Sequence, residues 1–332
     1  MGACPRSGTT LLRLMLDSHP ELAIPRETDF VRPLWWRRVE FGDLSERADR
    51  RQVARWIFRD PACEAGRLRR RPGERLTRKQ AIRRVTRRSA PTVGSIVEQC
   101  FRLYANGHGK PRWGDKRPAY SGFIGPLFAM FPDAQYVNLV RDPRGAVASQ
   151  AQMGWDAEDV AVPAAIARWE AAIERTDHFA RDLRPDQLLD LRYEDMVSDP
   201  AAELRRICAF AGLAGGDGAI EAMLAADRRH AYKGIHERLG QPVTTASIER
   251  WRERLEPEDV ALVEHATASY LDRFGYRPAD DVTATPSREG LRELRRQRRT
   301  TRREWRASRR GELVRRLRYR RPVAAPGHDG AA

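Results

Sequence analysis

MGACPRSGTTLLRLMLDSHPEL, residues 1–22, places a loop of small residues directly before an apolar helix. The apolar residues after Gly8 recur at helical spacing, which predicts a helix over 10–19 that ends near Ser18, before the next proline. Small residues let backbone N–H groups approach an anion, and the helix presents its positive end to that anion. The stretch therefore predicts a phosphate-binding loop, although an ordinary helix cap would use the same residues.

Two later stretches have the pattern of strands that lead into helices. Residues 136–140, YVNLV, are β-rich and end at a charged turn, and QLLDLRYEDMV gives a second strand that runs into Tyr193 and Glu194. Helices are predicted from RGAVASQAQM, over 163–179 and over 200–211. This alternation predicts an α/β fold with a P-loop-like, mainly parallel sheet flanked by helices, whose ligands bind beyond the carboxyl ends of the strands.

Composition divides the chain into a main domain, 1–277, and a C-terminal segment, 278–332. Within the first, residues 30–104 are polar, Arg-rich and helical, and we interpret them as an insertion or flank beside the sheet. The second begins near Pro278 with a short polar linker, and an Arg-rich tail follows. A segment this basic is expected to be helical on a surface or disordered in isolation.

The formal net charge of +15 is concentrated in two stretches. Residues 288–321 hold 16 Arg and four Glu, and residues 67–88 hold 11 Arg or Lys and one Glu. Either could attract an anionic surface, or be a solvated helix face. Apolar residues among the tail arginines favour an interfacial helix on an anionic membrane over nucleic-acid binding. They are Leu291, Leu294, Trp305, Leu313, Val314 and Leu317.

Cysteine usage and hydropathy exclude two classes of protein. No run approaches the roughly 20 apolar residues that a membrane-spanning helix needs. Four scattered cysteines lack metal-ligand spacing or a disulfide framework, so we interpret them as buried or free thiols in a reducing compartment. We therefore predict a cytoplasmic protein that can associate with the inner membrane face through its tail.

The opening loop resembles the 5′-phosphosulfate loop of the sulfotransferase family, P-[RK]-S-G-T-T-L-L, whose members use 3′-phosphoadenosine 5′-phosphosulfate (PAPS) as sulfuryl donor. The family's 3′-phosphate motif, an Arg at a strand end followed eight residues later by Ser, is matched by Arg141 and Ser149 in LVRDPRGAVAS. Further similarity runs through WGDKRP, LRYEDMVSDP and IERWRERLEPEDV, and covers most of 1–277. The chain looks closest to a bacterial branch resembling tyrosylprotein sulfotransferases, because RLMLDSHPEL and RET follow that pattern.

This resemblance implies roles on the donor side. Arg6 and residues 7–10 would hold the 5′-phosphate and sulfate. Arg141 and Ser149 would bind the 3′-phosphate, and Tyr193 would lie near the adenosine. Purely structural readings remain open: a surface arginine, a strand cap and a core tyrosine. The implied donor-binding set is Arg6, Ser7, Gly8, Thr9, Thr10, Arg141, Ser149 and Tyr193, with no metal expected.

The resemblance also implies a catalytic set of Glu27, Arg6 and Lys116. Glu27 follows Arg6 by 21 residues, the spacing at which the tyrosylprotein branch carries its catalytic glutamate. It would be the general base, although it could instead be a helix-terminal carboxylate, and Asp29 competes for the role. Lys116 matches the lysine that contacts the bridging oxygen or sulfate, unless it is a turn lysine. Arg117 stands where the family often has Thr.

One departure from the family pattern falls in LGQPVTTASIERW. Gln241 stands where the tyrosylprotein branch has a donor-contacting lysine, and glutamine brings no charge. Lys233 or Arg238 could substitute for it. We interpret residues 228–245 as a candidate lid.

The acceptor is not indicated by these motifs. A hydroxyl of a glycan, glycolipid, metabolite or protein tyrosine fits equally, with residues 30–104 and the pair Trp35 and Trp36 as the expected acceptor-side lining. Two other functions compete with sulfuryl transfer. A P-loop small-molecule kinase would need Mg²⁺ and a Lys-Ser/Thr pair after Gly8, and that pair is missing. A non-enzymatic basic module would bind membrane or nucleic acid through the tail.

The strand before the loop is expected to be truncated. Family members have about five strand residues there, at the centre of the sheet, and residues 1–4 are too short for that at roughly 3.3 Å per residue. Loss of a buried strand would leave unpaired backbone groups on its neighbours. We therefore expect the natural start to lie upstream of Met1; the alternative is a sheet that lacks this central strand.

Overall fold

The computed structural model of the chain describes residues 1–151, 160–226 and 245–326. Its strands are β1 (Gly2–Ala3), β2 (Leu22–Ala23), β3 (Arg70–Arg71), β4 (Glu74–Arg75), β5 (Arg112–Trp113), β6 (Tyr136–Val140) and β7 (Leu188–Arg192). Its α-helices are α1 (Thr9–Asp17), α2 (Val31–Arg37), α3 (Arg47–Arg59), α4 (Arg78–Arg88), α5 (Val93–Gly107), α6 (Ile124–Met130), α7 (Pro143–Ala151), α8 (Val162–Ala180), α9 (Tyr193–Ser198), α10 (Pro200–Ala211), α11 (Asp217–Leu224), α12 (Pro257–Phe274) and α13 (Arg288–Arg318).

Three parallel strands form the main sheet, in the order β1, β6, β7. Gly2 lies opposite Asn138 on β6, and Tyr136 lies opposite Leu188 on β7. All five residues of β6 are buried, as expected for the central strand of a parallel sheet. Helices follow each strand, so the predicted α/β class is confirmed. Two smaller sheets pair β2 with β5 in parallel and β3 with β4 antiparallel.

The first strand is short, as predicted, but it does exist. Gly2 and Ala3 pair with β6, so residues 1–4 contribute a strand of two residues, shorter than the roughly five expected of an untruncated strand. β1 has two residues where β6 has five, and it lies at the edge of its sheet and not at the centre. The strand still delivers the loop of residues 5–8 to the carboxyl end of the sheet.

The predicted helices occur with small changes at their ends. Residues 10–19 correspond to α1, and 163–179 lie within α8, whose Ile166, Trp169 and Ile173 are buried. The second strand ends at Arg192, because Tyr193 already begins α9. Asp199 caps α10 by accepting a hydrogen bond from the Ala202 amide at 3.0 Å, which explains the sharp break before that helix.

Residues 30–104 form a helical subregion with its own apolar core. Phe30, Leu34, Ile57 and Phe101 are each almost fully buried within it. α4 begins at a capping box, in which Thr77 and Gln80 bond each other's backbone amides. The small hairpin of β3 and β4 is the only strand structure inside this described region, which otherwise matches the predicted helical character.

The arginine-rich segment forms α13, a single helix of 31 residues that packs along α8. Leu294 is buried in a cluster with Leu262 and Val263 of α12. Arg298 donates from Nε to the Glu170 carboxylate of α8 at 2.7 Å. The helical form anticipated for the tail is therefore present, docked on the main domain; the boundary near Pro278 remains a prediction.

The chain beyond α13 returns to the body of the protein. The Gly94 amide donates to the Val323 carbonyl at 2.7 Å, and the Ala325 amide donates to the Met130 carbonyl at 2.7 Å. Across the described ranges, no helix combines the length and apolar composition of a membrane span. The cysteines are buried and unpaired, and burial raises the pKa of Cys4 and Cys63 to about 12.

Candidate active site

The loop between β1 and α1 has a backbone that glycine makes possible. Gly8 precedes α1 with φ at 91°, in the left-handed region, and Arg6 has φ at 69°. A Cβ on Gly8 would lie 2.5 Å from Cδ2 of Tyr193, whose ring packs against the loop. Gly8 therefore satisfies both the turn and the close approach of an aromatic ring. Ser7 is fully buried, and within the described chain its hydroxyl has no hydrogen-bond partner.

Arg141 follows β6 and is held at its backbone and at its side chain. Trp169 of α8 donates from Nε1 to the Arg141 carbonyl at 3.0 Å. The Arg141 guanidinium donates to the carbonyls of Arg6 at 2.9 Å and Ser247 at 3.0 Å. It also lies over the Tyr193 ring, with Cζ 4.6 Å from the centroid. These contacts fix one arginine between the phosphate loop and the start of α9.

A small pocket of about 170 Å³ lies between the loop, α7 and residues 247–254. Arg6 donates from Nε to the Ser149 hydroxyl at 3.3 Å, which joins the loop to α7. Burial lowers the pKa of Arg6, and the positive charges of Arg141 and Arg254 lower it further. The pocket is lined by Arg6, Arg141, Gly145, Ala148, Ser149, Ser247, Arg250, Trp251 and Arg254. The lining contains four cations and no carboxylate, a composition that suits an anion.

Two of these arginines were not anticipated. Arg250 and Arg254 come from the stretch IERWRER, whose resemblance to the family implied no role for either residue. The stretch folds into a 3₁₀ turn, Arg250–Glu253, that packs Trp251 against the core. No spacing in the sequence indicates this contact, because Arg250 and Arg254 reach the pocket only when this turn packs beside α7.

The expected base and lysine lie together on the other side of the loop. Lys116 is completely buried, and its ammonium contacts the Glu27 carboxylate and donates to the Thr10 hydroxyl at 3.4 Å. The Arg67 guanidinium donates to the Glu27 carbonyl and holds that backbone in place. The Glu27 side chain keeps a 34% exposed fraction, so that an acceptor can reach it.

Asp29, the competing base, has a different partner. Arg117 pairs with Asp29 at 3.0 Å and donates to the Thr28 carbonyl at 2.7 Å. The arginine that departs from the family's usual threonine therefore binds the neighbouring carboxylate and leaves the contact between Lys116 and Glu27 intact.

The expected acceptor lining needs one correction. Trp35 is 1% exposed, its ring packs on Phe123, and its Nε1 donates to the Glu312 carboxylate of α13 at 2.9 Å. It is a core residue, because α13 covers it. Trp36 is half-buried, with the Arg315 guanidinium 4.9 Å from its ring centroid. Gln241, Lys233, Arg238 and residues 228–244 of the candidate lid lie outside the described residues.

A buried polar network surrounds the carboxyl end of β6 and involves Asp142, Glu194 and Tyr276. The Asp142 amide donates to the Glu194 carboxylate at 3.0 Å, and Tyr276 donates to the same carboxylate at 2.7 Å. Burial raises the pKa of Glu194, and these two hydrogen bonds only partly offset the effect. Asp142 also pairs with Arg144 at 2.6 Å. The network fixes the turn from which Arg141 projects.

Comparison with known proteins shows the family of the chain. A model of the sulfotransferase family matches residues 1–217. Protein-tyrosine sulfotransferase A of Caenorhabditis elegans is 25% identical over 288 residues, which cover 84% of this chain and 67% of that protein. The omega-hydroxy-beta-dihydromenaquinone-9 sulfotransferase of Mycobacterium bovis is 27% identical over 186 residues, 52% of this chain and 42% of that protein. The chain thus spans about two fifths to two thirds of these relatives.

A solved structure shares the fold. The sulfotransferase domain of the Synechococcus PCC 7002 olefin synthase superposes with a TM-score of 0.54 at 22% identity, covering 83% of this chain and 93% of that domain. This similarity supports the architecture of sheet and helices described above.

Proposed function

The chain belongs to the sulfotransferase family, and we propose that it transfers the sulfuryl group of PAPS to an acceptor hydroxyl with Glu27 as general base. Enzymes of this family catalyse sulfuryl transfer, so the reaction type follows from membership; the donor and the base are the proposed part. The observation that carries the proposal is the contact between buried Lys116 and Glu27 beside Thr10, next to a four-arginine pocket.

The donor side of the site fits a ligand with two separate anionic groups. The N-terminus of α1 and the unpartnered Ser7 hydroxyl suit the 5′-phosphosulfate. The arginine pocket suits a 3′-phosphate, with Arg141 and Ser149 joined by Arg250 and Arg254. PAPS supplies the sulfuryl group when bound there. A nucleoside triphosphate would leave the second cluster of cations without a counter-ion, which disfavours the kinase alternative.

Lys116 and Glu27 suggest how the acceptor side works. Lys116 neutralises Glu27 in the free protein and stays within reach of the Thr10 hydroxyl at the phosphate loop. Lys116 would contact a sulfate held at that loop and would supply a positive charge to counter the charge that grows on the leaving phosphate. The Glu27 carboxylate is then available to accept the proton of the attacking hydroxyl. Catalysis rests on in-line positioning and charge neutralisation.

Donor-dependent sulfation of an acceptor panel tests this assignment. The panel contains a tyrosyl peptide, a hydroxylated isoprenoid lipid, an oligosaccharide and a simple phenol, and 3′-phosphoadenosine 5′-phosphate binding is measured by calorimetry. Glu27→Gln should lower kcat by about 10²–10⁴-fold with that binding retained. Asp29→Asn is the matched control and should keep kcat within a few fold. A wild-type chain that does not bind 3′-phosphoadenosine 5′-phosphate contradicts the donor assignment.

The acceptor is proposed only as a hydroxylated molecule. The two curated relatives are named for a protein tyrosine and for a hydroxylated menaquinone, so their names share the hydroxyl and little else. A glycan, a glycolipid and a small metabolite remain in the panel for that reason. The acceptor that gives the highest kcat/KM identifies the class.

We also propose that the far end of α13 touches an anionic membrane surface, at the cytoplasmic face. Leu313, Val314 and Leu317 share one side of the helix and are 61%, 49% and 65% exposed. The helix is surrounded there by arginines, a combination that favours an anionic lipid layer over nucleic acid. Leu294 and Trp305 are not part of this face, since Leu294 is buried and Trp305 packs on His178.

Vesicle co-sedimentation tests the membrane contact in the intact chain. Wild type should bind vesicles containing phosphatidylserine more strongly than neutral vesicles. The variant Leu313→Ser with Leu317→Ser should lose most of that binding, without loss of fold, because both side chains are exposed. Equal sedimentation of variant and wild type contradicts the proposal.

A further inference from the structure

A second cationic surface, here called the α3–α4 groove, lies between those two helices. Its volume is about 720 Å³, and its ten lining residues include seven cations and no carboxylate. α3 supplies Arg47, Arg51, Arg55 and Arg59, and α4 supplies Arg78, Lys79 and Arg83. None of the lining residues belongs to the donor pocket, so the groove is a separate site.

The cations of the groove form an ordered array. The four arginines of α3 follow one another at every fourth position, so they share a face, about 6 Å apart and about 18 Å end to end. All seven cationic residues are exposed, and none forms an ion pair with another described residue. The array is therefore available to an external anion along its whole length.

Fold stability does not explain this arrangement. Like charges four residues apart repel along a helix, and Arg47 stands at the N-terminal end of α3, where a cation opposes the helix dipole. The packing of the two helices comes instead from Val53 and Ile57 on α3 and Val85 on α4. The four arginines of α3 therefore form three successive repulsive pairs that do not contribute to the packing of the two helices.

We propose that the α3–α4 groove binds a linear anionic polysaccharide. Arginine pairs with carboxylate or sulfate through its planar fork, and a polymer with an acid group on each repeat matches a regular row of such forks. The groove contains apolar atoms only from Ala48, Ile82 and the stems of its long side chains. Hydroxylated sugar rings need no apolar pocket, because they stay hydrated beside the guanidinium groups.

Three other polyanions fit the groove less well. Single-stranded nucleic acid needs aromatic side chains for stacking, and the lining has none. An anionic membrane attracts clustered cations as well, but its binding is strengthened by exposed apolar residues, and the exposed large apolar side chains of the described chain lie on α13. An acidic peptide can also bind an arginine cluster, but two helices offer no strand edge to add main-chain hydrogen bonds, and the polyglutamate measurement below distinguishes it.

The groove is anchored to the region that carries Glu27. α3 and α4 both contact the 3₁₀ turn Ala65–Arg69, and Arg67 of that turn holds the Glu27 carbonyl. A polysaccharide bound in the groove is thus attached to the acceptor side of the protein. Its binding does not depend on the proposed reaction, and it is measured without any donor.

Binding of a fluorescent oligogalacturonate, which is carboxylated and unsulfated, tests the proposal in the full chain. The groove variant Arg47→Gln, Arg51→Gln, Arg55→Gln removes three charges from the array. The control variant Arg299→Gln, Arg303→Gln, Arg306→Gln removes three exposed charges from α13. The groove variant should bind roughly tenfold or more weakly, with a shallower salt dependence, and the control should change by no more than about twofold.

Two further readouts separate the groove from its alternatives. The groove variant should unfold at the same temperature as wild type or higher, because repulsion is removed, and should bind 3′-phosphoadenosine 5′-phosphate normally. Equal losses in both variants would mean that net charge alone attracts the polymer, and absence of wild-type binding would overturn the proposal. Stronger groove-dependent binding of oligo-dT, a polyglutamate peptide or phosphatidylserine vesicles would assign the groove to that class instead.

Discussion

Gly8 carries two constraints at one residue, a positive φ and contact with the Tyr193 ring. Gly8→Ala should therefore lower the free energy of unfolding by about 1–3 kcal/mol and weaken 3′-phosphoadenosine 5′-phosphate binding, because the loop must shift to admit the methyl group. Chemical denaturation and calorimetry on the same preparations measure both effects.

A substitution at Tyr193 distinguishes the effect of the positive φ of Gly8 from the effect of its contact with the ring. In the Tyr193→Ala background the collision with the ring is gone, while the φ of residue 8 remains unfavourable for alanine. Gly8→Ala should therefore lower the free energy of unfolding by less in that background than in wild type. If the two substitutions are instead additive, the ring does not restrict the loop, and the sensitivity of Gly8 comes from its φ alone.

Some residues of the proposed site could be predicted from the sequence, and others could not. Each proposed site residue that the sequence predicted lies within a family motif or at a fixed spacing from one. These residues are Arg6, Glu27, Lys116 and Arg141. Arg254 could not be predicted, because its place beside Arg6 depends on how α12 and the preceding turn pack on α7. Spacing along the chain carries no information on a contact of that kind.

The carboxyl end of β6 and the first turn of α9 are joined by the buried side chain of Glu194, whose charged form is disfavoured by burial. Burial raises the pKa of Glu194 above its ordinary 4.5. Between the pKa of the unfolded chain and the raised pKa of the folded protein, Glu194 holds a proton in the folded state that it has lost in the unfolded state. The contribution of Glu194 to the free energy of unfolding is therefore fully present below pH 4.5 and declines as the pH rises through the raised pKa.

Glu194→Gln should remove that part of the pH dependence. Glutamine can accept from the Asp142 amide and donate to the Tyr276 hydroxyl, so both contacts survive without a buried charge. Thermal unfolding from pH 4 to 8 should show a gain over wild type that grows with pH. The exposed substitution Glu221→Gln serves as the control and should follow wild type; a constant offset for Glu194→Gln would rule out the carboxyl as the source.

α13 is joined to Arg38, the residue directly after α2, by an ion pair that is buried on one side. Arg38 has a 1% exposed side chain, pairs with Glu312 at 2.7 Å, and has its pKa lowered mainly by burial. Glu312→Ala leaves that guanidinium and the Trp35 N–H without their carboxylate, so it should lower the free energy of unfolding by roughly 3 kcal/mol. Urea denaturation measures the change.

The compensating variant Arg38→Met with Glu312→Gln should recover most of that loss. Methionine removes the buried charge, and glutamine still accepts the Trp35 hydrogen bond. Failure of the double variant to recover stability would show that the ion pair itself stabilises the docking of α13, and that the loss in Glu312→Ala does not come only from an unpaired buried charge.

Elements differ in how well the sequence specified them. β6 and α8 could be predicted because their apolar periods are clear in the local sequence, although β6 pairs with β1 and β7 and α8 packs on α13, all of them distant in the chain. The role of α13 could not, since 16 arginines between residues 288 and 321 gave it the composition of a solvated tail. Its docking depends on scattered acceptors, such as Glu170 on α8, that become visible only when distant segments meet.

For the whole molecule, residues 288–326 complete the core. Removing them should expose the α8 and α12 surfaces around Glu170 and Leu262 and uncover Trp35. A chain ending at Ser287 should therefore express poorly or unfold at a markedly lower temperature than the full chain, as measured by scanning calorimetry. A cooperative transition at the wild-type temperature would contradict this view of the segment.

This dependence also decides how membrane contact must be tested. A deletion after Ser287 would change folding and lipid binding together, so its loss of sedimentation could not be interpreted. The substitutions at Leu313 and Leu317 avoid the difficulty because those side chains are 61% and 65% exposed.

The bond between Trp35 and Glu312 joins residues 277 positions apart, nearly the length of the chain. A ribosome adds about 5–20 residues per second, so a nascent Trp35 waits about 15–55 s for its acceptor to be synthesised. Its apolar surroundings are exposed to other nascent chains throughout that time. Production of this protein should consequently respond to translation speed and to chaperone supply more than its size suggests, and faster elongation should improve the yield of folded enzyme.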